Sequence, residues 1–131
     1  METEKTKNRQ QDLDFCRELV DKVPALVPVL ENHLESEDGE LQTYIFLGAV
    51  ARWAEENFVA RESDVVQLLL ELNRGLAEGE REVPNLIAVG FGESLSFESP
   101  LVPLLKGDLK RWYEFDAGIS EEEPRLRRGG K

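Results

Sequence analysis

Cysteine and histidine are nearly absent: the 131 residues contain one of each, Cys16 and His33. A single cysteine excludes an internal disulfide, and one Cys with one His cannot supply the three or four soft ligands of a zinc site. A nucleophile–base pair would have His33 as its only imidazole. Beside Glu31 and Asn32 near a helix end, that residue fits a surface position favoured by the helix dipole better than a catalytic one. Cys16 falls on apolar spacing with Leu13, Leu19 and Val20, which predicts a buried, unreactive thiol. Long apolar runs are missing too. No stretch of about 18 apolar residues could span a bilayer, and the opening METEKTKNRQQDLDF has no apolar signal core, so a soluble, cytoplasmic protein without membrane contact is expected.

Positive charge is scarce in the body of the chain. Residues 10–123 hold 25 Asp or Glu against 9 Lys or Arg, a balance of −16, while the first nine residues contribute +1 and the last eight +4, for a total of −11. Such a field repels nucleic acid and anionic membranes and draws a basic partner inward, although it also serves solubility. Paired carboxylates for hydrolysis carry no weight as a signal, because 27 acids generate many accidental pairs.

With 40% hydrophobic residues, the chain suffices for one ordinary core and is short for two. The periodicity predicts an all-α, single-domain bundle of about five or six helices over 10–116, with a mobile segment at 1–9 and a mobile tail at 117–131. A first helix runs from Gln10 to Val23 on Leu13, Cys16, Leu19, Val20 and Val23, and a second, short one starts near Pro28 and reaches Leu34. After the polar breaker ESEDGE, residues 40–58 form a central helix in which Gly48 and Ala51 let a neighbour approach closely. Ser63 is the expected cap of a fourth helix with a stripe of Val66, Leu69, Leu70, Asn73 and Leu76, stopped at Gly79. A last helix is expected from the Ser99 cap to about Phe115, carrying Leu101, Leu104, Leu105, Leu109, Trp112 and Tyr113.

The stretch PNLIAVGFGESL, 84–95, decides between an enzyme and a binding protein. As a dinucleotide fingerprint it needs small residues at 90, 92 and 95, and residue 95 is leucine. As a Walker-type loop it needs Lys and Ser or Thr after the second glycine, and it offers Glu93-Ser94. The spacing of Leu86, Ile87, Gly90, Phe91 and Leu95 instead predicts a helix. Two glycines in a helix cost about 1 kcal/mol each relative to alanine, so close contact with another helix should offset them. The acidic turn before Leu41 also fails as a calcium loop: aligned on Gly39, the first and twelfth positions are Leu34 and Ile45, neither of which can ligate. No cofactor-binding set, metal-binding set or catalytic residue is therefore assigned. Trp53 and Trp112, next to Arg52 and Arg111, fit core or half-buried packing better than partner anchors.

The segments HLESEDGELQTYIFLGAVARWAEEN, RGLAEGEREVPNLIAVGFGESL and PLVPLLKGDLKRWYE resemble a widespread family of small, uncharacterised bacterial helical proteins, over about residues 30–115. The family pattern V-x-N-L-I-x-V-x-F-x-E-x-L falls on Val83, Asn85, Leu86, Ile87, Val89, Phe91, Glu93 and Leu95, and its closing leucines on Leu104, Leu105 and Leu109. Proteins of this kind are similar to immunity proteins of bacterial toxin systems. That likeness implies stoichiometric, non-catalytic binding of a basic protein, such as a nuclease toxin, with the carboxylates of Glu35, Glu37, Asp38, Glu40, Glu78, Glu80 and Glu82 as contacts. For Asn85 a turn or cap, and for Glu93 a solvated or internally paired side chain, outweigh partner contact. The competing expectation is a small enzyme or ligand-binding domain in which a buried carboxylate, such as Glu93, lines an interhelical pocket. The oligomeric state is left open.

Overall fold

The structure, a computed structural model, describes residues 4–79, 82–96, 98–116 and 118, with side chains from Arg9 onward to Phe115 within those ranges. Among them the fold is all-α. It comprises α1 (Glu4–Lys22), a 3-10 turn (Pro24–Leu26), α2 (Val27–Ser36), α3 (Thr43–Asn57), α4 (Glu62–Glu78), the short α5 (Val83–Asn85) and α6 (Gly107–Asp116). Between α5 and α6 the chain stays helical as a π-helix (Leu86–Phe91) and 3-10 turns (Gly92–Ser94 and Val102–Leu104). The helix α1 begins at Glu4, inside the expected N-terminal segment, while most of 117–131 lies outside the described residues.

The core follows the apolar spacing closely on α1, α3 and the 86–91 run. Cys16, Leu19, Val20 and Val23 from α1, Phe46, Leu47, Val50, Ala51 and Ala54 from α3, and Leu86, Ile87 and Phe91 all bury against one another. On α4 the buried face is Val65, Leu68, Leu69, Leu72 and Leu76, whereas Val66 and Leu70 of the predicted stripe face outward, Leu70 being 57% exposed. The run VVQLLLEL offers two apolar stripes one residue apart, and tertiary packing selects between them. Ser63 does not cap α4: the helix starts at Glu62, and the cap position, Arg61, makes no side-chain capping hydrogen bond.

The expected last helix is two pieces. Ser99 Oγ accepts from the Leu101 N–H at 3.2 Å, so it does cap a turn, but that turn ends at Leu104. Gly107, at φ +58°, then starts α6 in a conformation that disfavours other residues. Asn73 of α4 holds this second start by accepting from the Leu109 N–H at 3.0 Å. Trp112 is buried and meets Phe115 edge-on at 6.1 Å between ring centroids, and Trp53 is half-buried against the core.

Residues 84–95 are helical, as the spacing requires, and both glycines are buried within the helical turns. The unforeseen feature is that the helix widens to π geometry over Leu86–Phe91, a form often found where a helix is locally adapted to a neighbour. Gly90 sits against α3: a Cβ there would lie 3.1 Å from Leu47 Cβ and 3.5 Å from the Tyr44 backbone. Gly48 faces back, with its missing Cβ 3.3 Å from Ser94 Oγ and 3.9 Å from the Gly90 carbonyl oxygen. Ser94 Oγ donates to that same carbonyl at 2.7 Å. Gly90→Val should therefore force α3 and the π-helix apart and cost about 2 kcal/mol or more, read as a lower melting temperature; an unchanged melting temperature would show that the crossing is loose.

Candidate functional site

Each of the two acidic segments predicted as contacts has one described residue that bears on α1, Glu40 in the first and Glu82 in the second. The first, Glu37–Glu40, reverses the chain through left-handed Asp38 (φ +54°) and Gly39 (φ +81°). Its last residue, Glu40, is tied to α1 by an ion pair with Arg9 at 3.1 Å. One helical turn further along α1, Asp12 comes under the charge of Glu82, which precedes α5. Tyr44, in the first turn of α3, is influenced by both Asp12 and Glu82, and its hydroxyl accepts from Asn85 Nδ2 at 2.9 Å. Arg9, Asp12, Tyr44, Glu82 and Asn85 thus join four segments in one place.

Of the predicted contacts, Glu35, Asp38, Glu40 and Glu78 are exposed and Glu37 and Glu82 half-buried, while Glu80 lies outside the described residues. Glu40 is engaged with Arg9, and Ser36 Oγ lies 3.5 Å from Glu37 Oε2. Glu93 is exposed, so the buried carboxylate expected there is not found at that position. The buried carboxylate is Asp12, 6% exposed, and its Oδ1 meets no hydrogen-bond donor among the described residues. Sequence reasoning missed it because only the apolar positions of α1, from Leu13 onward, define the predicted face. The available signal was its i, i+4 spacing to Cys16, which places it on the buried stripe.

Burial first, and the charge of Glu82 second, push the Asp12 carboxyl from an ordinary 3.8 up to about 6. The Cys16 thiol is pushed up to about 12 by burial, with the Asp12 charge adding to it, so it stays protonated and unreactive. Tyr44 is also raised, by burial above all and then by the Asp12 and Glu82 charges, against the lowering effect of the Asn85 hydrogen bond. These shifts agree in sign: this is an electronegative, partly desolvated spot that resists further negative charge.

The other buried polar groups have structural partners. His33 is buried, not at the surface, and its Nε2 accepts from the Gln42 N–H at 2.9 Å ahead of α3, with Phe46 at 5.7 Å between ring centroids. That acceptor role fixes Nε2 as the unprotonated nitrogen. Glu71 accepts from Gln67 Nε2 at 2.9 Å and pairs with Arg74 at 3.5 Å. Glu55 caps residue 96, accepting from both the Ser96 N–H and its hydroxyl at 2.9 Å. A shallow, open hollow lies elsewhere, along the α3–α4 turn from Val59 to Gln67, built from one continuous stretch and lined by none of Arg9, Asp12, Tyr44, Glu82 or Asn85. Among the described residues no three His, Cys, Asp or Glu side chains stand together in metal-ligating positions, and no helix is long and apolar enough to cross a membrane.

Fold and site together define a small all-α domain with a buried carboxylate, Asp12, whose Oδ1 meets no hydrogen-bond donor among the described residues. The chain belongs to the family described as Domain of unknown function (DUF7674), which matches residues 16–117. This places Tyr44, Glu82 and Asn85 inside the family's span and Asp12 four residues before it. No curated protein and no solved structure matches the chain.

Two outcomes follow from these buried groups. Because the folded-state value for Asp12 exceeds the ordinary one, the folded protein binds more protons than the unfolded chain between about pH 4 and 6, and stability rises as pH falls through that window. The raised value sets an upper bound of about 3 kcal/mol, which nearby solvent reduces. Asp12→Asn should then stabilise the protein by about 1 kcal/mol at pH 7.5 and by nothing near pH 4, in denaturant titrations at each pH. A variant whose advantage does not depend on pH would refute the assignment. His33→Ala leaves the Gln42 N–H without its acceptor and should cost about 1–3 kcal/mol in the same assay.

Proposed function

We propose that the protein is a non-catalytic binding module whose acidic surface engages a basic protein, as an immunity protein does when it neutralises a basic toxin, such as a nuclease, by stoichiometric association. The observation that carries this reading is that Glu40 and Glu82, one from each acidic segment, bear on α1 one helical turn apart, at Arg9 and Asp12, in a body whose residues 10–123 already hold a balance of −16. Exposed carboxylates at Glu35, Asp38 and Glu78 accelerate encounter with a cationic surface, and they do so in a salt-dependent way. Exposed hydrophobic side chains on α3 and the π-helix, Tyr44 at 37% exposed, Ile45 at 55% and Val89 at 38%, give a partner something to bury once docked.

The alternative, an enzyme or ligand-binding domain working through a buried carboxylate, has Asp12 in its favour. The same observation serves binding better, because the hollow along the α3–α4 turn does not include Asp12 and the Cys16 thiol near it is held protonated by burial.

The test is capture from a lysate of the source cell by the wild-type chain and by a Glu35→Lys, Asp38→Lys, Glu78→Lys variant, at low and at moderate salt. A basic protein held by the wild type, released by salt and retained about tenfold less by the variant is the expected result. Equal retention by both chains, or the absence of any basic protein, would remove the proposal.

A further inference from the structure

The acidic surface contains a feature that general charge complementarity does not require. Asp12 is buried to 6% exposure with an Oδ1 that meets no donor among the described residues, and Glu82 brings a second negative charge to bear on it. A carboxylate oxygen kept from water without a donor is costly, and a neighbouring like charge adds to that cost. On the rim stands the Tyr44 ring, 37% exposed and held by the Asn85 Nδ2 bond to its hydroxyl. Arg9, one helical turn before Asp12 on α1, is engaged with Glu40 at 3.1 Å.

We propose that the notch formed by Asp12, Glu82, Tyr44 and Asn85 receives one arginine or lysine side chain of the basic partner and is the anchor point of the acidic surface. The chemistry selects this class. An anion is repelled by both carboxylates. A divalent metal finds no third His, Cys, Asp or Glu ligand among the described residues. A guanidinium or ammonium supplies donors to the carboxylates and lies against the face of an aromatic ring, each a favourable contact where water is partly excluded. The identity of the inserted group as a partner side chain rests on the binding reading above; the cation specificity of the notch does not.

Protonation of Asp12 competes with the cation. The groups facing Asp12 are Glu82 from the segment before α5, Tyr44 from α3, and Cys16 from its own helix. Cys16 and Tyr44, both raised, remain protonated near neutrality, which leaves Asp12 to set the pH dependence. Binding therefore strengthens as pH rises through about 6.

The test uses N-acetylarginine methylamide as the probe, titrated into the whole isotope-labelled chain at low ionic strength and followed by NMR. Saturable shifts confined to Asp12, Tyr44, Glu82 and Asn85, a lowered titration midpoint for the Asp12 carboxyl carbon, and about threefold or greater weakening in Asp12→Asn are expected. That variant removes an unpaired buried charge, so its fold should be retained; Tyr44→Phe, which keeps the ring and loses the Asn85 bond, is the second variant and should weaken binding less. Shifts spread over Glu35, Asp38 and Glu78 without saturation, or equal affinity in Asp12→Asn, would overturn the proposal. Partner capture without notch shifts would defeat the notch alone, and notch shifts without partner capture would defeat the binding-module reading alone.

Discussion

The backbone contact between α3 and the π-helix sets the positions of the remaining parts. Gly48 and Gly90 present bare backbone to each other's helices, and any side chain at Gly90 would press on Leu47 Cβ at 3.1 Å. Helices at ordinary separation are 8–10 Å apart, and two facing glycines allow a closer approach. That approach has consequences at both ends of the crossing. Towards the start of α3 it brings Tyr44 within bonding distance of Asn85, 41 residues away in sequence. Towards the other end it seats Ser94 over Gly48, with its hydroxyl returned to the Gly90 carbonyl. The acidic notch is therefore positioned by a contact that contains no charge.

Polar groups inside the molecule divide by whether packing has given them a partner. His33 accepts a backbone N–H, Ser99 caps a turn, Glu71 is held by Gln67 and Arg74, and Asn73 starts α6. Each satisfies a group that would otherwise be unpaired at a helix end or on a half-buried face. Asp12 breaks this rule on the same fold and in the same core. Chains that satisfy their buried polar atoms almost everywhere tend to leave the exceptions where something other than stability is served. This contrast, more than the net charge, separates the α1 end from the rest of an acidic surface.

How much of this was legible in the sequence depends on whether the signal is local. The helical reading of 84–95 rests on apolar spacing within twelve residues, and its glycines told of close approach before any neighbour was known. The fold class follows from the same kind of signal. The register of α4 did not, because VVQLLLEL satisfies two faces equally well and the choice belongs to α1 and the π-helix packing on it. The break in the last helix was visible as Gly107-Asp108 but was outweighed by the leucines on either side; the positive φ at Gly107 decides it. The π widening has no local signature at all. At the site, the acidic turns are plain in the sequence, whereas Asp12 acquires its meaning only from Glu82 and Tyr44, residues 70 and 32 positions away.

Two layers of electrostatics follow for the proposed binding role, and they act on different steps. Carboxylates in the exposed turns stand in high dielectric, where a pair of charges at 4 Å is worth about 1 kcal/mol and a Debye length of about 8 Å limits their reach at physiological salt. They orient an approaching cationic surface without holding it. Asp12 stands in a poorer solvent, shown by a carboxyl raised to about 6, and a cation placed beside it recovers part of the desolvation that the folded chain has already incurred. Because that cost is carried by the free protein, pairing it contributes to the lifetime of the complex more than to its rate of formation. Specificity then comes from geometry: a partner must deliver a long cationic side chain past the Tyr44 ring, a demand that a merely basic surface does not meet.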